Sequence, residues 1–247
     1  MSNQFATIIM AAGKGTRMKS DLAKVLHPIL GQPMIHYVIA LARDLGSQRV
    51  IAIIGHQKER VQEALKNEHI EFAIQEPQLG TGHAVMQAEP LLHGYDGHVL
   101  VLSGDAPVLT RSTMRQMIAK HFEQNATATV LTAIMPDPTG YGRVIRNPDG
   151  SVKKNVEHKD ATEDERKINE INSGIYMFNS LELFHALKKI NSNNAQNEYY
   201  LPDVLKIFID SGKKVMAHVT PDASEISGIN TIEQLQAAET ILKSQKD

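Results

Sequence analysis

Cysteine is absent from the 247 residues, which excludes disulfides, thiolate metal sites and cysteine nucleophiles. A surplus of either charge is missing too: 26 Lys and Arg stand against 28 Asp and Glu, a formal net charge of −2. That balance gives no electrostatic reason to expect nucleic acid or an anionic membrane as partner, although a local cluster of cations could still hold small anions. Long apolar runs are also lacking. The longest are strand-sized, far below the roughly 20 residues that span a bilayer. The opening Met1-Ser2-Asn3-Gln4-Phe5 has no basic stretch leading into an apolar run, so it does not read as a signal peptide. A soluble cytoplasmic protein is expected. There is no internal repeat, no low-complexity tract, and no metal-ligand spacing such as H-E-x-x-H among the 11 histidines.

What is present is a rhythm of short apolar runs and longer amphipathic stretches. Residues 5–12, 50–54, 70–75, 98–102 and 127–134 read as strands. Residues 33–45, 58–66, 81–92 and 111–124 read as helices between them. Strands alternating with helices of this length imply βαβ crossovers and a Rossmann-like, doubly wound, mainly parallel α/β sheet. Ligands of such sheets sit beyond the carboxyl ends of the strands. The loops after Ala12, Gln75 and Leu102 should therefore face one crevice. After Pro136 the rhythm changes: Pro138, Gly140, Gly142, Pro148 and Gly150 punctuate short β segments near Val144 and Val152, and a strand over 171–178 follows. Helices over 181–189 and 201–211, a strand over 214–219 and a helix over 231–243 complete the chain. We expect a single domain: a first lobe over 1–135, a smaller β-rich lobe with closing strands over 136–230, and a C-terminal helix over 231–247.

The loop from Ala11 to Met18, A-A-G-K-G-T-R-M, carries the most specific chemistry. Gly13 and Gly15 permit backbone angles that turn successive amides toward a phosphate. Lys14, Arg17 and Lys24 add cations around the same point. An ordinary surface turn fits two glycines equally well. The dinucleotide fingerprint is excluded, because Met18 stands where a third Gly or Ala is needed, and the Walker loop fails because Thr16-Arg17 follows Gly15. Asp105, after Gly104 at the end of an apolar run, suits a hard cation such as magnesium, and it equally suits a tight turn.

Taken with the segments that follow it, this loop resembles the signature of the sugar-phosphate nucleotidyltransferases, A-A-G-x-G-T-R-M followed by Pro-Lys. The likeness continues through Gln78–Ala84 (Q-L-G-T-G-H-A), Gly104–Pro107 (G-D-A-P) and Asp137–Arg143 (D-P-T-G-Y-G-R). It then runs through Val156–Thr162 (V-E-H-K-D-A-T), Glu170–Ile175 (E-I-N-S-G-I), Asn193–Tyr200 and Gly228–Thr231 (G-I-N-T). Within the family it is most like the uridylyltransferase (pyrophosphorylase) domains that form UDP-N-acetylglucosamine. The resemblance implies a magnesium-dependent enzyme that joins UTP to N-acetylglucosamine 1-phosphate, releases pyrophosphate and serves cell-wall (peptidoglycan) synthesis. It implies Asp105 and Asn230 as the Mg²⁺ ligands, and Arg17 and Lys24 as the residues that hold the triphosphate and its developing charge. Ala11, Ala12, Gly13, Gly15, Gln75, Gln78, Gly80 and Thr81 would surround the nucleotide. Gly142, Glu157, Asn172 and the segment around Tyr199 would meet the sugar. A Gln amide both donates and accepts, matching the edge of uracil. The sugar phosphate oxygen would attack the α-phosphorus directly, so no covalent enzyme intermediate is expected. Another sugar 1-phosphate or nucleotide, or a non-catalytic sensor on the same fold, are the competing readings.

Two departures accompany the likeness. The family's Pro-Lys pair is Ala23-Lys24 here, which keeps the cation and is expected to loosen its presentation. The hexapeptide-repeat acetyltransferase domain that follows in bifunctional relatives has no counterpart before Asp247. Acetyl transfer and trimerisation through that domain are not expected of this chain.

Overall fold

Strand β1 (Phe5–Ala11) shows how the apolar runs become a core. In the computed structural model, which describes residues 3–244, Ala6 and Ile8 pack into the cluster on one face of the sheet, while Phe5, Ile9 and Ala11 pack into the cluster on the other. A strand covered on both faces has no need of a polar side, which is why it reads as a continuous apolar run. A hairpin follows, β2 (Pro28–Ile29) and β3 (Gln32–Pro33). Its turn residues Leu30 and Gly31 both have positive φ, 48° and 86°, the backbone of a tight primed turn. Sequence periodicity gave no sign of this hairpin. Helix α1 (Met34–Asp44) buries Met34, Ile35, Val38, Ile39 and Ala42, one stripe at helical spacing.

Next come β4 (Val50–Ile54), α2 (Lys58–Ala64), β5 (Glu71–Ile74) and α3 (Thr81–Met86). The helix expected to reach Leu92 ends at Met86 and continues as tight turns such as Gln87 N–H to Ala84 O, 3.0 Å. Pro90 has no N–H to give to Met86, so a regular helix cannot run on. Strand β6 (His98–Ser103), α4 (Arg111–Glu123) and β7 (Ala128–Ile134) complete the first part. Thr110 caps α4 by accepting from Thr113 N–H at 3.2 Å. The second part holds β8 (Arg143–Arg146), β9 (Val152–Val156), α5 (Glu163–Arg166) and β10 (Glu170–Asn179). It ends with α6 (Ser180–Leu187), α7 (Asp203–Asp210), β11 (Val215–Val219) and α8 (Ile232–Ser244).

The main sheet has the order β11-β7-β10-β6-β1-β4-β5, with β8 joined to β10 and β9 to β8. Pairing is parallel across β6-β1-β4-β5 and between β7 and β11; β10 runs antiparallel to both β6 and β7. The chain moves outward from β1 to β4 and β5, then returns to β6 on the other side of β1. That reversal opens a crevice beyond the carboxyl ends of β1 and β6. One hydrogen-bonded sheet thus runs through both parts of the chain. A third, smaller cluster joins Met18, Ile29, Met34, Val108 and Ile229 to Ala238 and Leu242 of α8. Burying a side chain the size of Met18 contributes about 1.5–3 kcal/mol, so α8 anchors the far end of the glycine loop. Among the described residues no helix is long and apolar enough to cross a membrane.

Candidate active site

The crevice begins where β1 runs into the glycine loop. Ala11 and Ala12 are buried, and Gly13 opens outward, since a Cβ placed on it would meet no atom within 4 Å. Gly15 has φ +61°, and a Cβ there would stand 2.6 Å from the Lys24 Cβ. A side chain at 15 would therefore be strained and would push Lys24 aside. Met18 then drops into the third cluster and fixes the loop's exit.

A cavity of about 830 Å³ opens on this loop, lined among others by Ala12, Gly13, Lys14, Lys24, Gln75 and Asp105. Gln78, Gly80 and Thr81 also line it. The loops after β1, β5 and β6 do meet in one crevice. Gln75, 5% exposed, donates Nε2 to Gly80 O at 2.9 Å, and Gln78 donates Nε2 to Ala12 O at 2.5 Å. Both amides thus spend a donor on bracing the walls. Among the described residues neither Oε1 accepts a protein hydrogen bond, which leaves each carbonyl as an acceptor for a ligand.

Polar groups converge at the Lys24–Asp105 wall of this cavity and just behind it. The Lys24 ammonium is paired with Asp105 Oδ2 and donates to Asn230 Oδ1 at 2.6 Å. Arg17 Nη2 donates to the same Asn230 oxygen at 2.7 Å. Ser103 Oγ holds Asp105 Oδ1 at 2.6 Å. Asp105 and Asn230 lie 125 residues apart, and the link between them is short: Ile229 N–H donates to Asp105 O at 3.0 Å, with Gly228 packed against the carboxylate. The Asp105 and Lys24 side chains are only 16% and 13% exposed, so deleting either leaves an uncompensated charge. Two hard oxygens therefore focus on one cationic centre, occupied by an ammonium. Such a donor pair fits magnesium, which commonly takes one or two protein ligands. Among the described residues no group of three or more His, Asp or Glu gathers at another such point.

A second cavity of about 260 Å³ adjoins the first, sharing Met10, Thr81 and Glu198 as lining. Its walls come from the 140–142 loop, Glu157 after β9, and the middle of β10. There the pairing of β10 with β7 shifts between Asn172 and Tyr176, and Gly174 takes φ +80°. This bulge takes Ser173, Gly174 and Ile175 out of the ladder just after the paired Asn172, and Asn172, Ser173 and Gly174 line the cavity. Asn172 Nδ2 donates to Asn155 Oδ1 and its Oδ1 accepts from Gly174 N–H, both at 2.9 Å. One lone pair of Oδ1 remains for a ligand, while the Asn172 side chain also reaches the Tyr176 hydroxyl. A Cβ on Gly142 would stand 3.1 Å from Glu157 Oε1, so the glycine makes room for that carboxylate. Burial, then the nearby Asp203 and Asp160 carboxylates, push the Glu157 pKa up. No Lys or Arg lines this cavity among the described residues.

The sequence-derived residues fall into place unevenly. Arg17, Gly15 and Asn230 stand beside the large cavity and act on Lys24 and Asp105; they do not line it. The segment around Tyr199 lines the small cavity through Gln196, Glu198 and Tyr200, while Tyr199 itself does not. Its backbone pairs with Leu79 O and Gly82 N–H, and its ring packs against the core. Tyr200 lines the small cavity instead, its hydroxyl pKa pushed up to about 12 by burial and by carboxylates including Asp160. The two tyrosines are adjacent in sequence, and only the second reaches the wall of the small cavity. Ala23, where the family pattern has proline, is 2% exposed and its N–H donates to Gln57 Oε1 at 3.1 Å. Glu198, Ser103 and Gly228 were not singled out from sequence. Each lay inside or beside a matched motif, and that adjacency was the available signal. Arg143, at the end of D-P-T-G-Y-G-R, is buried and donates to Tyr141 O and Arg166 O. It is a brace between the 137–142 loop and α5.

Comparison with known proteins agrees with this geometry. Residues 6–228 match the family model described as nucleotidyl transferase. The chain is 52% identical over 236 residues to the bifunctional protein GlmU of an Exiguobacterium species, covering 96% of this chain and 52% of that protein. It is 50% identical over 243 residues to the bifunctional protein GlmU of Halalkalibacterium halodurans, covering 98% and 53%. The chain thus spans about half the length of these relatives. Its fold is shared with a UDP-glucose pyrophosphorylase solved with UDP-glucose: TM-score 0.73, 20% identity, 98% of this chain and 99% of that one covered.

Proposed function

Since the chain belongs to the nucleotidyl transferase family, we propose that it transfers a uridylyl group from UTP to N-acetylglucosamine 1-phosphate, giving UDP-N-acetylglucosamine and pyrophosphate. The observation that carries this reading is the Lys24–Asp105 pair in the wall of a large cavity, tied to Asn230 and Arg17 just behind it, with a smaller cavity adjoining that has no Lys or Arg in its lining among the described residues. In this reading the triphosphate lies over the glycine loop and the sugar lies between Glu157, Asn172 and Tyr200. A phosphate oxygen of the sugar phosphate attacks the α-phosphorus, a new P–O bond forms, and the bond to the bridging oxygen breaks, so that pyrophosphate leaves with the electron pair.

The protein's part is positioning and charge. Two polyanions must approach, and Lys14, Arg17 and Lys24 offset their repulsion. Asp105 and Asn230 would hold Mg²⁺, which when bound adds positive charge at the triphosphate oxygens. The Oε1 atoms of Gln75 and Gln78 offer acceptors to the uracil N–H. Glu157 and Asn172 offer directional contacts to hydroxyls and an acetamido group, which sugars need because they present little apolar area. The absence of cations there suits a neutral sugar and disfavours nothing about its phosphate, which stays on the Lys24 side.

The test is pyrophosphate release with UTP, N-acetylglucosamine 1-phosphate and Mg²⁺, run beside glucose 1-phosphate and an Asp105→Ala control. Fast release with the acetylated sugar, lost in the control, supports the reading. Release with glucose 1-phosphate alone keeps the chemistry and changes the substrate. No release with any sugar phosphate or nucleotide overturns it.

A further inference from the structure

Lys24 is held by its ammonium at one end, and the backbone that presents it is held by a side chain from a different loop. Ala23 has φ −52° and ψ 134°, a φ that proline's ring would impose. Alanine has no ring, and it has an N–H that proline lacks. That N–H goes to Gln57 Oε1 at 3.1 Å. The other end of the same amide, Gln57 Nε2, donates to Asp21 O at 2.6 Å. Arg60 Nη1 adds a bond to Asp21 O at 3.1 Å and lies 3.4 Å from Gln57 Oε1. Gln57 therefore spans the two peptide groups flanking Leu22, directly before Lys24.

The backbone at Gln57 is itself set for this. It has φ 53° and ψ 40° at the start of α2, a left-handed conformation uncommon for a residue other than Gly, Asn or Asp. The neighbouring His56 N–H donates to Ala12 O at 3.2 Å, and Gly55 and His56 line the large cavity. One loop, 55–57, thus holds both the glycine loop and the lysine segment. The side chain is half-buried and both ends of its amide are used, which separates it from a solvated surface glutamine.

We propose that Gln57 is a positioning residue for the transfer reaction: its amide fixes the backbone of residues 21–23 so that Lys24 reaches the Asp105–Asn230 centre, a constraint that proline at position 23 would supply through its ring. This rests on the function proposed above and names a residue that acts on it without touching substrate.

The test uses the full chain in four forms: unaltered, Gln57→Asn, Ala23→Pro, and the two combined. Asparagine tolerates the left-handed backbone but is one methylene too short to span the two peptide groups. Gln57→Asn should lower kcat roughly tenfold to a hundredfold, leave KM for N-acetylglucosamine 1-phosphate within about twofold, and leave the melting temperature nearly unchanged. Ala23→Pro alone should change kcat by no more than about threefold, since the ring replaces the bond it removes. Combined with Gln57→Asn, it should restore most of the lost kcat. A purely structural Gln57 would give no such rescue. A kcat for Gln57→Asn within twofold of the unaltered chain overturns the proposal, and so does a combined variant no faster than Gln57→Asn.

Hydrogen exchange of the 20–26 amides is measured on the same proteins and needs no turnover. Exchange at the Ala23 amide should quicken about fivefold or more in Gln57→Asn; unchanged exchange overturns the clamp even if the unaltered chain releases no pyrophosphate. A chain that fails to turn over but shows quickened exchange refutes the reaction and retains the clamp on Lys24. Should Gln57→Asn not fold, Gln57→Gly, which keeps the left-handed backbone and deletes the amide, takes its place with the same expectations.

Discussion

The two adjoining cavities are built by opposite means. The larger draws its character from cations and backbone on loops after parallel strands: Lys14, Lys24 and the backbone of residues 11–13, gathered at the carboxyl ends of β1 and β6. The smaller has no Lys or Arg in its lining among the described residues, and takes its polar groups from Glu157, Asn172 and Tyr200. The first is organised around one charged centre, the second around neutral or protonation-prone groups with fixed directions. Charge does the heavier work in stabilising a phosphoryl transfer; directional contacts sort one sugar from another. Substitutions in the two cavities should therefore differ in size and in kind.

The largest effect is expected at the charged centre. Asp105→Ala should reduce pyrophosphate release by roughly a thousandfold, at the upper end of what one preorganised electrostatic group contributes. Lys24→Met should cost a comparable factor. The two should differ in metal binding: losing Asp105 removes an oxygen donor, whereas losing Lys24 removes a cation that shares both Asp105 Oδ2 and Asn230 Oδ1. Manganese binding followed by electron paramagnetic resonance should thus weaken in Asp105→Ala and hold or tighten in Lys24→Met. If both variants keep more than a tenth of the activity, the contrast between the cavities is wrong.

A smaller and different effect is expected on the sugar side. Glu157→Gln should raise KM for the sugar phosphate by about tenfold, the scale of one lost or mismatched polar contact, with UTP affinity unchanged by titration calorimetry. A loss of UTP affinity equal to the loss for the sugar would merge the two cavities into one site and remove the distinction.

How legible these regions were follows the same division. The charged cavity is assembled from strand-end loops, and a strand end is marked in sequence by an apolar run meeting Gly13 or Gly104-Asp105. Helices α1 and α4 follow plain 3.6-residue periodicity, with Gly46 just past the end of the first and Thr110 capping the start of the second. The sugar cavity depends on features with no short-range signature. One is the β10 bulge directly after Asn172, which brings Ser173 and Gly174 to the cavity beside it. The antiparallel insertion of β10 between β6 and β7 is another. The placing of Tyr200 rather than Tyr199 in the cavity wall is a third. Asn230 was readable only through motif likeness, because its nearness to Asp105 depends on the chain returning after β11 to lay Gly228 against that carboxylate. The Gln57 clasp on residues 21–23 was likewise invisible: it joins positions 34 residues apart through a side chain in an uncommon backbone state.

Between the two cavities in expected size stands Gly15→Ala, which asks whether the charged centre depends on exact loop shape. The added Cβ has a left-handed φ to endure and the Lys24 Cβ at 2.6 Å. A destabilisation of about 1–3 kcal/mol is expected from strain and crowding, read as a lower urea midpoint. Turnover should fall further than the midpoint accounts for, because the displaced group is Lys24. Gly13→Ala is the matched control, since its Cβ meets no atom within 4 Å in the ligand-free protein. Equal loss of stability in both variants would mean the loop is not fitted around Lys24.

The smallest effect on chemistry is expected at the far end of β6, where buried ionisable groups line neither of the two adjoining cavities. His121 is wholly buried in α4; its Nδ1 lies 2.8 Å from Thr129 Oγ1 and its Nε2 lies 2.8 Å from His98 Nδ1. Phe122 packs edge-on against both rings, and Asp96 is the nearby carboxylate that favours charge on His98. Burial, and secondarily His98, lower the His121 pKa to about 3. The unfolded chain binds a proton near pH 6.5 while the folded chain refuses it, so stability is fully present above pH 6.5 and is lost as the pH falls toward 3. The slope is at most about 1.4 kcal/mol per pH unit for each such histidine. His121→Gln should lower the melting temperature at pH 7.5, through lost packing, yet make its decline down to pH 4.5 shallower than in the unaltered chain. UTP affinity at pH 7.5 should not move, because the pair sits at the opposite end of the strand from Ser103 and Asp105. Parallel melting curves against pH would show that this pair carries no linked proton. A changed UTP affinity would show instead that the two ends of β6 are coupled, and that the charged cavity extends its reach beyond the loops that form it.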